Sequence, residues 1–209
     1  MKISISANFA IGLIWSLHLV GFLAMQVPFS RHFFEALTPF NLLLCSFLAI
    51  KFQETNRSFW IFFFVCFFDA YFLELAGVQT GQVFGKYAYL ENLGFKIADV
   101  PIIIGINWFL LVFSIGNTLH FLKIPLFLKI LLAAFAMTLS DFFIEPVAIE
   151  HRWWHWFGQA IPFQNYVAWF FGATFLMTWF YKSDFEKQNP LASHLWAAQM
   201  VFFCLHFLV

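Results

Sequence analysis

Apolar residues gather along the chain in seven runs, at 7–27, 36–50, 58–76, 100–119, 124–149, 162–181 and 191–209. Most are close to the length a helix needs to cross a bilayer. The pattern predicts an all-α, polytopic membrane bundle of about seven transmembrane helices, forming a single domain over 1–209. Lys2 before the first run suggests a signal peptide. That run is too long for a signal core and no small-x-small cleavage site follows it, so it reads as a membrane helix. The second run is short, with Pro39 near its start, and Pro101 opens the fourth where a first helical turn tolerates proline. Two connections are polar, aromatic and long. A Gly-rich one spans 77–99 and a Trp-rich one 150–162, and both are expected as re-entrant or interfacial loops. No internal repeat is visible.

Composition agrees with the pattern. The 209 residues are 62% hydrophobic and 11% charged, against about 25% charged in soluble proteins. Mean hydropathy is +0.80. The formal net charge of zero argues against a nucleic-acid surface. The three cysteines, Cys45, Cys66 and Cys204, lie inside apolar runs and imply no disulfide framework. Loop Lys and Arg divide seven to four. Lys2, Lys51, Arg57, Lys123, Lys129, Lys182 and Lys187 fall on one side, and Arg31, Lys86, Lys96 and Arg152 on the other. The bias predicts an amino terminus inside and a carboxyl terminus outside.

Ionisable groups within spans are costly and therefore functional candidates. Here they are acids: Asp69 and Glu74 on the third span, Asp141 and Glu145 on the fifth. No Lys or Arg lies well inside a span to pair with them. Asp141 and Glu145, four apart, share a helix face. Odd-numbered spans run in the same direction, so Glu74 and Glu145 sit near the same membrane side, where both polar loops emerge. Two neighbouring carboxyls in a low-dielectric pocket cannot both ionise cheaply, so one retains a proton and the pair can serve as general acid and base. Nearby Trp and Tyr faces can stabilise a carbocation. The competing structural reading is that the acids hydrogen-bond loop amides and hold the loops in place. Most of the 34 Phe must face lipid or fill the bundle.

Other chemistries fit less well. His151 and His155 have HxxxH spacing, but His18, His32, His120, His194 and His206 are isolated, and a di-iron site needs a cluster. The Asp141–Glu145 pair lacks the further acids and basic residues of a magnesium–diphosphate site. The last span has no lysine for a retinal Schiff base. No phosphate-binding glycine motif is present.

Two stretches carry a resemblance. One comprises Glu74, Gly77, Gly81, Phe84-Gly85-Lys86-Tyr87-Ala88-Tyr89, Leu93-Gly94, Pro101 and Trp108. The other comprises Asp141, Glu145-Pro146, Trp153, Trp156, Pro162, Asn165-Tyr166 and Trp169. Together, over about 69–169, the chain resembles the membrane-bound carotenoid biosynthesis proteins of the carotenoid hydratase type. That group includes bacterial carotenoid 1',2'-hydratases and archaeal bisanhydrobacterioruberin hydratases. The resemblance implies a hydro-lyase that adds water across the terminal double bond of an acyclic, lycopene- or γ-carotene-like carotenoid end. It implies no redox cofactor, and no metal is expected. Asp141 or Glu145 would donate the proton, and Glu74 or Asp99 would orient the water and take its proton. Tyr87, Tyr89, Trp153 and Trp156 would line the cation site, with Phe84, Trp169 and Asp69 also in the substrate site. Asn165 would hydrogen-bond the water or a carboxyl, and Gly81 and Gly85 would let the loop backbone approach closely.

A forty-carbon polyene is about as long as the bilayer is thick, so only its end need enter. A pocket near one membrane face with a lateral entrance is expected. The implied location is a bacterial or archaeal cytoplasmic membrane, with other carotenoid-pathway enzymes as candidate partners. Two alternatives stay open. A carotenoid end-group cyclase begins with the same protonation, and a small proton-coupled transporter could use the same acids as a relay.

Overall fold

The computed structural model describes residues 5–158 and 160–208. Lys2 in the charge tally and Val209 at the end of the last expected span lie outside them. The helices are α1 (Ala7–Met25), α2 (Pro28–Ala36), α3 (Thr38–Lys51), α4 (Arg57–Thr80), α5 (Ile103–His120), α6 (Leu126–Glu150), α7 (Phe163–Lys182) and α8 (Ala192–His206). Four of them, α1, α4, α5 and α6, are individually long and apolar enough to cross a membrane. The pair α2–α3, bent by 51°, makes a fifth when counted as one broken span. α7 carries polar residues in its first turn, and α8 has only 15 residues. The fold is an all-α membrane bundle.

Local chemistry explains the boundaries. Ser6 caps α1 through Phe9 N–H, and Asn56 caps α4 through Phe59 N–H at 2.8 Å. Pro28 opens α2, where its missing N–H costs nothing. The sequence reading leaves 28–35 as a connection, and the structure corrects this to the short helix Pro28–Ala36. It also corrects the end of α4. Gly77 does not stop the helix, which continues to Thr80 and is closed by Gly81. Pro101 does not open α5 but pairs in a small hairpin of Lys96–Ile97 (β2) with Val100–Pro101 (β3).

α5 is the axis of the bundle. Every residue from Trp108 to Asn117 is buried. Surrounding helices turn apolar stripes outward. On α7, Phe163, Val167, Phe171, Phe175 and Trp179 recur every fourth position and are all exposed. On α4, Phe64, Phe68 and Phe72 do the same. A continuous apolar surface of this extent is suited to lipid.

The two polar loops do not insert separately. They pair with each other. Tyr87–Tyr89 (β1) runs antiparallel to Trp154–Trp156 (β4), with Tyr87 opposite Trp156 and Tyr89 opposite Trp154. Two further bonds extend the ladder, Leu90 N–H to the Trp153 carbonyl at 2.9 Å and Phe157 N–H to the Lys86 carbonyl at 3.0 Å. Backbone polar groups near a bilayer need internal partners, and mutual pairing of two irregular segments supplies them. The result is a lid over the end of the bundle where α4 and α6 finish and α5 and α7 begin. At the opposite end, Gln53 and Asn56 donate to the carbonyls of Glu186 and Asp184. The loops thus gather in the two groups that the charge tally separated.

Candidate active site

Strand alternation aims the lid's aromatic side chains inward. Tyr87 and Tyr89 point down from β1 and donate to Glu74 Oε2 at 2.6 and 2.8 Å. Trp108 Nε1, on α5, donates to Glu74 Oε1 at 3.2 Å. Trp154 and Trp156 point down from β4, and both indoles donate to Glu145 Oε2, at 2.9 and 2.8 Å. Asn165, in the first turn of α7, gives its amide N–H groups to Asp141 Oδ2 at 2.8 Å and Glu145 Oε1 at 3.2 Å. Asp141 Oδ1 is buried and has no partner among the described residues. Burial raises the pKa of the Tyr87 and Tyr89 phenols, so both stay hydrogen-bond donors.

Close approach depends on glycine at two places. A Cβ on Gly77 would lie 2.6 Å from the Phe84 ring and 2.8 Å from the Tyr87 hydroxyl. Gly77 therefore lets the descending loop lie against α4. Gly85 has φ +116°, and a Cβ there would lie 2.7 Å from Pro162.

The acids enclose a cavity of about 20 Å³, room for one water. Its walls include Phe84, Tyr87, Tyr89, Trp156, Asn165 and Trp169. Trp169 stacks on Trp108 at 4.1 Å, and Tyr87 tilts against Trp156 at 5.1 Å. The hydroxyl tips of Tyr87 and Tyr89 and the N–H edges of Trp108, Trp154 and Trp156 point at the carboxyls, and the ring bodies wall the space around them. An arrangement of three carboxyls, neutral donors and aromatic walls can transfer a proton to an apolar substrate and shelter a positive charge. A second cavity of about 150 Å³ adjoins it, bounded by α1, the α2–α3 turn, α5 and α8. Half-exposed Val20 on α1 is part of its wall.

Glu74, Asp141, Glu145, Phe84, Tyr87, Tyr89, Trp156, Asn165 and Trp169 are therefore brought together. Three other expected site residues are not. Asp99 is exposed at the tip of the β2–β3 hairpin, where it and Ala98 both adopt positive φ, 66° and 48°. It is a turn residue, as short polar side chains tolerate that conformation. Asp69 is half-buried on α4, more than a helical turn from Glu74 and outside the cavity wall. Trp153 faces the larger cavity, because adjacent residues of an extended segment point to opposite sides. Trp154 takes the place expected of it. Trp154 and Asn107 were missed by the sequence reading, and a period-2 reading of 153–156 would have found Trp154.

A second buried polar cluster was also missed. Glu35 on α2 meets His151 Nδ1 at 2.9 Å, Arg31 Nε at 3.1 Å and Asn92 Nδ2 at 3.3 Å. Arg31 also reaches Glu150 at 2.7 Å. The cluster ties α2 to the end of α6 and to the lid. The i,i+4 spacing of Arg31 and Glu35 behind Pro28 is its sequence signal. Among the described residues no three His, Cys, Asp or Glu side chains are placed to share a metal ion.

A family model described as "Carotenoid biosynthesis protein" matches residues 15–209. The match runs from the middle of α1 through α8 and so extends well beyond the region of the motif resemblance. Neither a curated protein nor a solved structure matches the chain.

Proposed function

The chain belongs to the carotenoid biosynthesis protein family, and from that premise we propose that it is a carotenoid hydratase. It adds water across the terminal double bond of an acyclic carotenoid end, in a bacterial or archaeal cytoplasmic membrane. The observation that carries this reading is the Asp141–Asn165–Glu145 bridge opposite Glu74, inside an aromatic-walled cavity the size of one water.

In the proposed reaction a carboxyl O–H breaks as the alkene π pair forms a C–H bond at the inner, CH carbon of the terminal double bond. The positive charge falls on the end carbon, which bears two methyl groups and becomes a tertiary cation. A water oxygen bonds to it and gives a proton to a second carboxylate, leaving a tertiary alcohol. Asp141 is the favoured donor, because Oδ1 alone among the site's carboxyl oxygens meets no hydrogen-bond donor in the described residues. Glu74 and Glu145, each held by three donors, stay oriented to receive a proton. Tyr87, Trp156 and Trp169 wall the space beside the reacting carbon. The small cavity supports hydration, since it has room beside the acids for the water that captures the cation.

The test is product mass in cells that make lycopene or γ-carotene and express this chain. A gain of one water, lost with Asp141→Asn, supports the reading. A new pigment of unchanged mass replaces it with cyclisation. Proton flux into liposomes without carotenoid, and no new pigment, replaces it with transport.

A further inference from the structure

The small cavity and the larger one share four wall residues, Ile104, Asn107, Ile144 and Trp154. Two are apolar. The Trp154 indole N–H is already engaged by Glu145. Asn107 is the one remaining polar group of that wall. Its neighbour in type, Asn117, donates to the Phe113 carbonyl of its own helix at 2.8 Å, whereas the Asn107 amide makes no hydrogen bond within the described residues. It is half-buried, lining the acid cavity on one side and, on the other, a mainly apolar space whose polar wall residues are His18, Thr38, Asn41 and Gln199.

The two spaces differ in kind. About 20 Å³ lined by carboxyls suits a single water, which needs two to four polar partners. About 150 Å³ lined by residues such as Leu17, Phe34, Leu42 and Phe202 is the size at which an engineered apolar cavity takes a benzene ring. A five-carbon isoprene unit is of similar bulk. The two spaces share the wall of Ile104, Asn107, Ile144 and Trp154, so an alkene reaching past that wall from the larger space meets the acids of the smaller one.

Resting on the hydratase reading, we propose that the cavities divide the reactants. The terminal isoprene unit occupies the larger cavity, the water occupies the smaller, and Asn107 is the positioning residue that aims the water at the cation. The alkene takes a proton from a carboxyl and becomes a tertiary cation. The water held by the Asn107 amide bonds to that carbon and passes a proton to a carboxylate. The sum is alkene plus water to alcohol, with no other reactant. Without Asn107 the cation forms and then returns its proton.

The experiment uses the full chain in proteoliposomes with an acyclic carotene in D2O. It reads both the alcohol formed and the deuterium in recovered carotene. Asn107→Leu, of similar shape, is expected to lower alcohol formation at least ten-fold while deuterium exchange persists. Asn107→Ser, which keeps a polar hydroxyl, is expected to recover part of the alcohol. Alcohol formation by Asn107→Leu at the parent rate overturns the proposal. So does joint loss of alcohol and exchange in a folded Asn107→Leu protein. Gly21→Leu tests the larger cavity, since the nearest atom to a Cβ there is Phe202 Cε2 at 3.9 Å. It is expected to abolish both readouts by filling the space, and unchanged readouts overturn the assignment. If the parent protein gives neither alcohol nor exchange, the hydratase reading itself fails, whatever Asn107 does.

Discussion

Gly77→Ala tests the geometry of the lid without touching an acid. The added Cβ would meet the Phe84 ring at 2.6 Å and the Tyr87 hydroxyl at 2.8 Å, against 3.4 Å for ordinary contact. The ring must retreat about 0.8 Å and the hydroxyl about 0.6 Å. Moving the hydroxyl directly away stretches its 2.6 Å bond to Glu74 to about 3.2 Å, the weak edge of the hydrogen-bond range. Overpacking of this kind costs about 1–3 kcal/mol. Replacing a helical glycine by alanine returns roughly 0.5–1 kcal/mol. The net expectation is a loss of about 1 kcal/mol in stability, with a larger fall in hydration because Glu74 loses its best donor. Thermal unfolding in detergent and product yield are the two readings. Gly12→Ala in α1, where nothing lies within 4 Å of the new Cβ, is the control and should keep full product while gaining roughly 0.5–1 kcal/mol. Gly77→Ala protein that unfolds no earlier than the parent and makes as much alcohol would refute the close contact between lid and α4.

Three further outcomes are expected. Glu145→Gln should fold but lose at least ten-fold in product. Indoles only donate, so the amide oxygen must face Trp154 and Trp156, leaving an NH2 against Asn165 and forcing that amide to turn from Asp141. Full product from this variant would mean Glu145 is scaffolding. Trp154→Phe should lower product, as it removes a 2.9 Å donor, while Trp153→Phe should cost less than about 1.5 kcal/mol in stability and leave the acids intact. The reverse ranking in a product assay would place β4 one residue out of register. Glu35→Ala should lower stability by about 3 kcal/mol, because it strands buried His151 and frees Arg31. Unfolding at the parent temperature would show that the cluster contributes little.

The helices were legible because lipid contact imposes a simple rule, and the every-fourth Phe and Val of α7 follow it. The convergence of Glu74 and Glu145 was legible from direction alone, since alternate spans end on one side. What was not legible came from the loops. Gly77 reads as a helix stop by propensity, yet tertiary contact with Phe84 and Tyr87 keeps it inside α4. Asp99 reads as an acid near the site, yet its positive φ assigns it to a turn. Trp153 and Trp154 are equivalent by composition; alternation with Trp156 groups Trp154 with it, and pairing with β1 turns that pair toward the acids. Tyr87/Tyr89 and Trp154/Trp156 each alternate with period 2, but nothing local to either segment says that the two pair with each other.

The same bundle end holds buried acids of two kinds, and their partners separate their roles. Glu35 meets a guanidinium and two histidines, an arrangement that holds a carboxylate as an anion and joins α2 to α6. Among the described residues no Lys or Arg pairs with Glu74, Asp141 or Glu145. Their donors are phenols, indoles and an amide, all neutral. Neutral donors orient a carboxyl in either protonation state, so a proton can be given and taken back without moving a counter-charge through a low-dielectric interior. A structural acid in a membrane gains from an ion pair, whereas an acid that must protonate an alkene is hindered by one. That contrast, drawn within one protein, is why the chemistry is assigned to the Glu74–Asp141–Glu145 group and the clamp to Glu35.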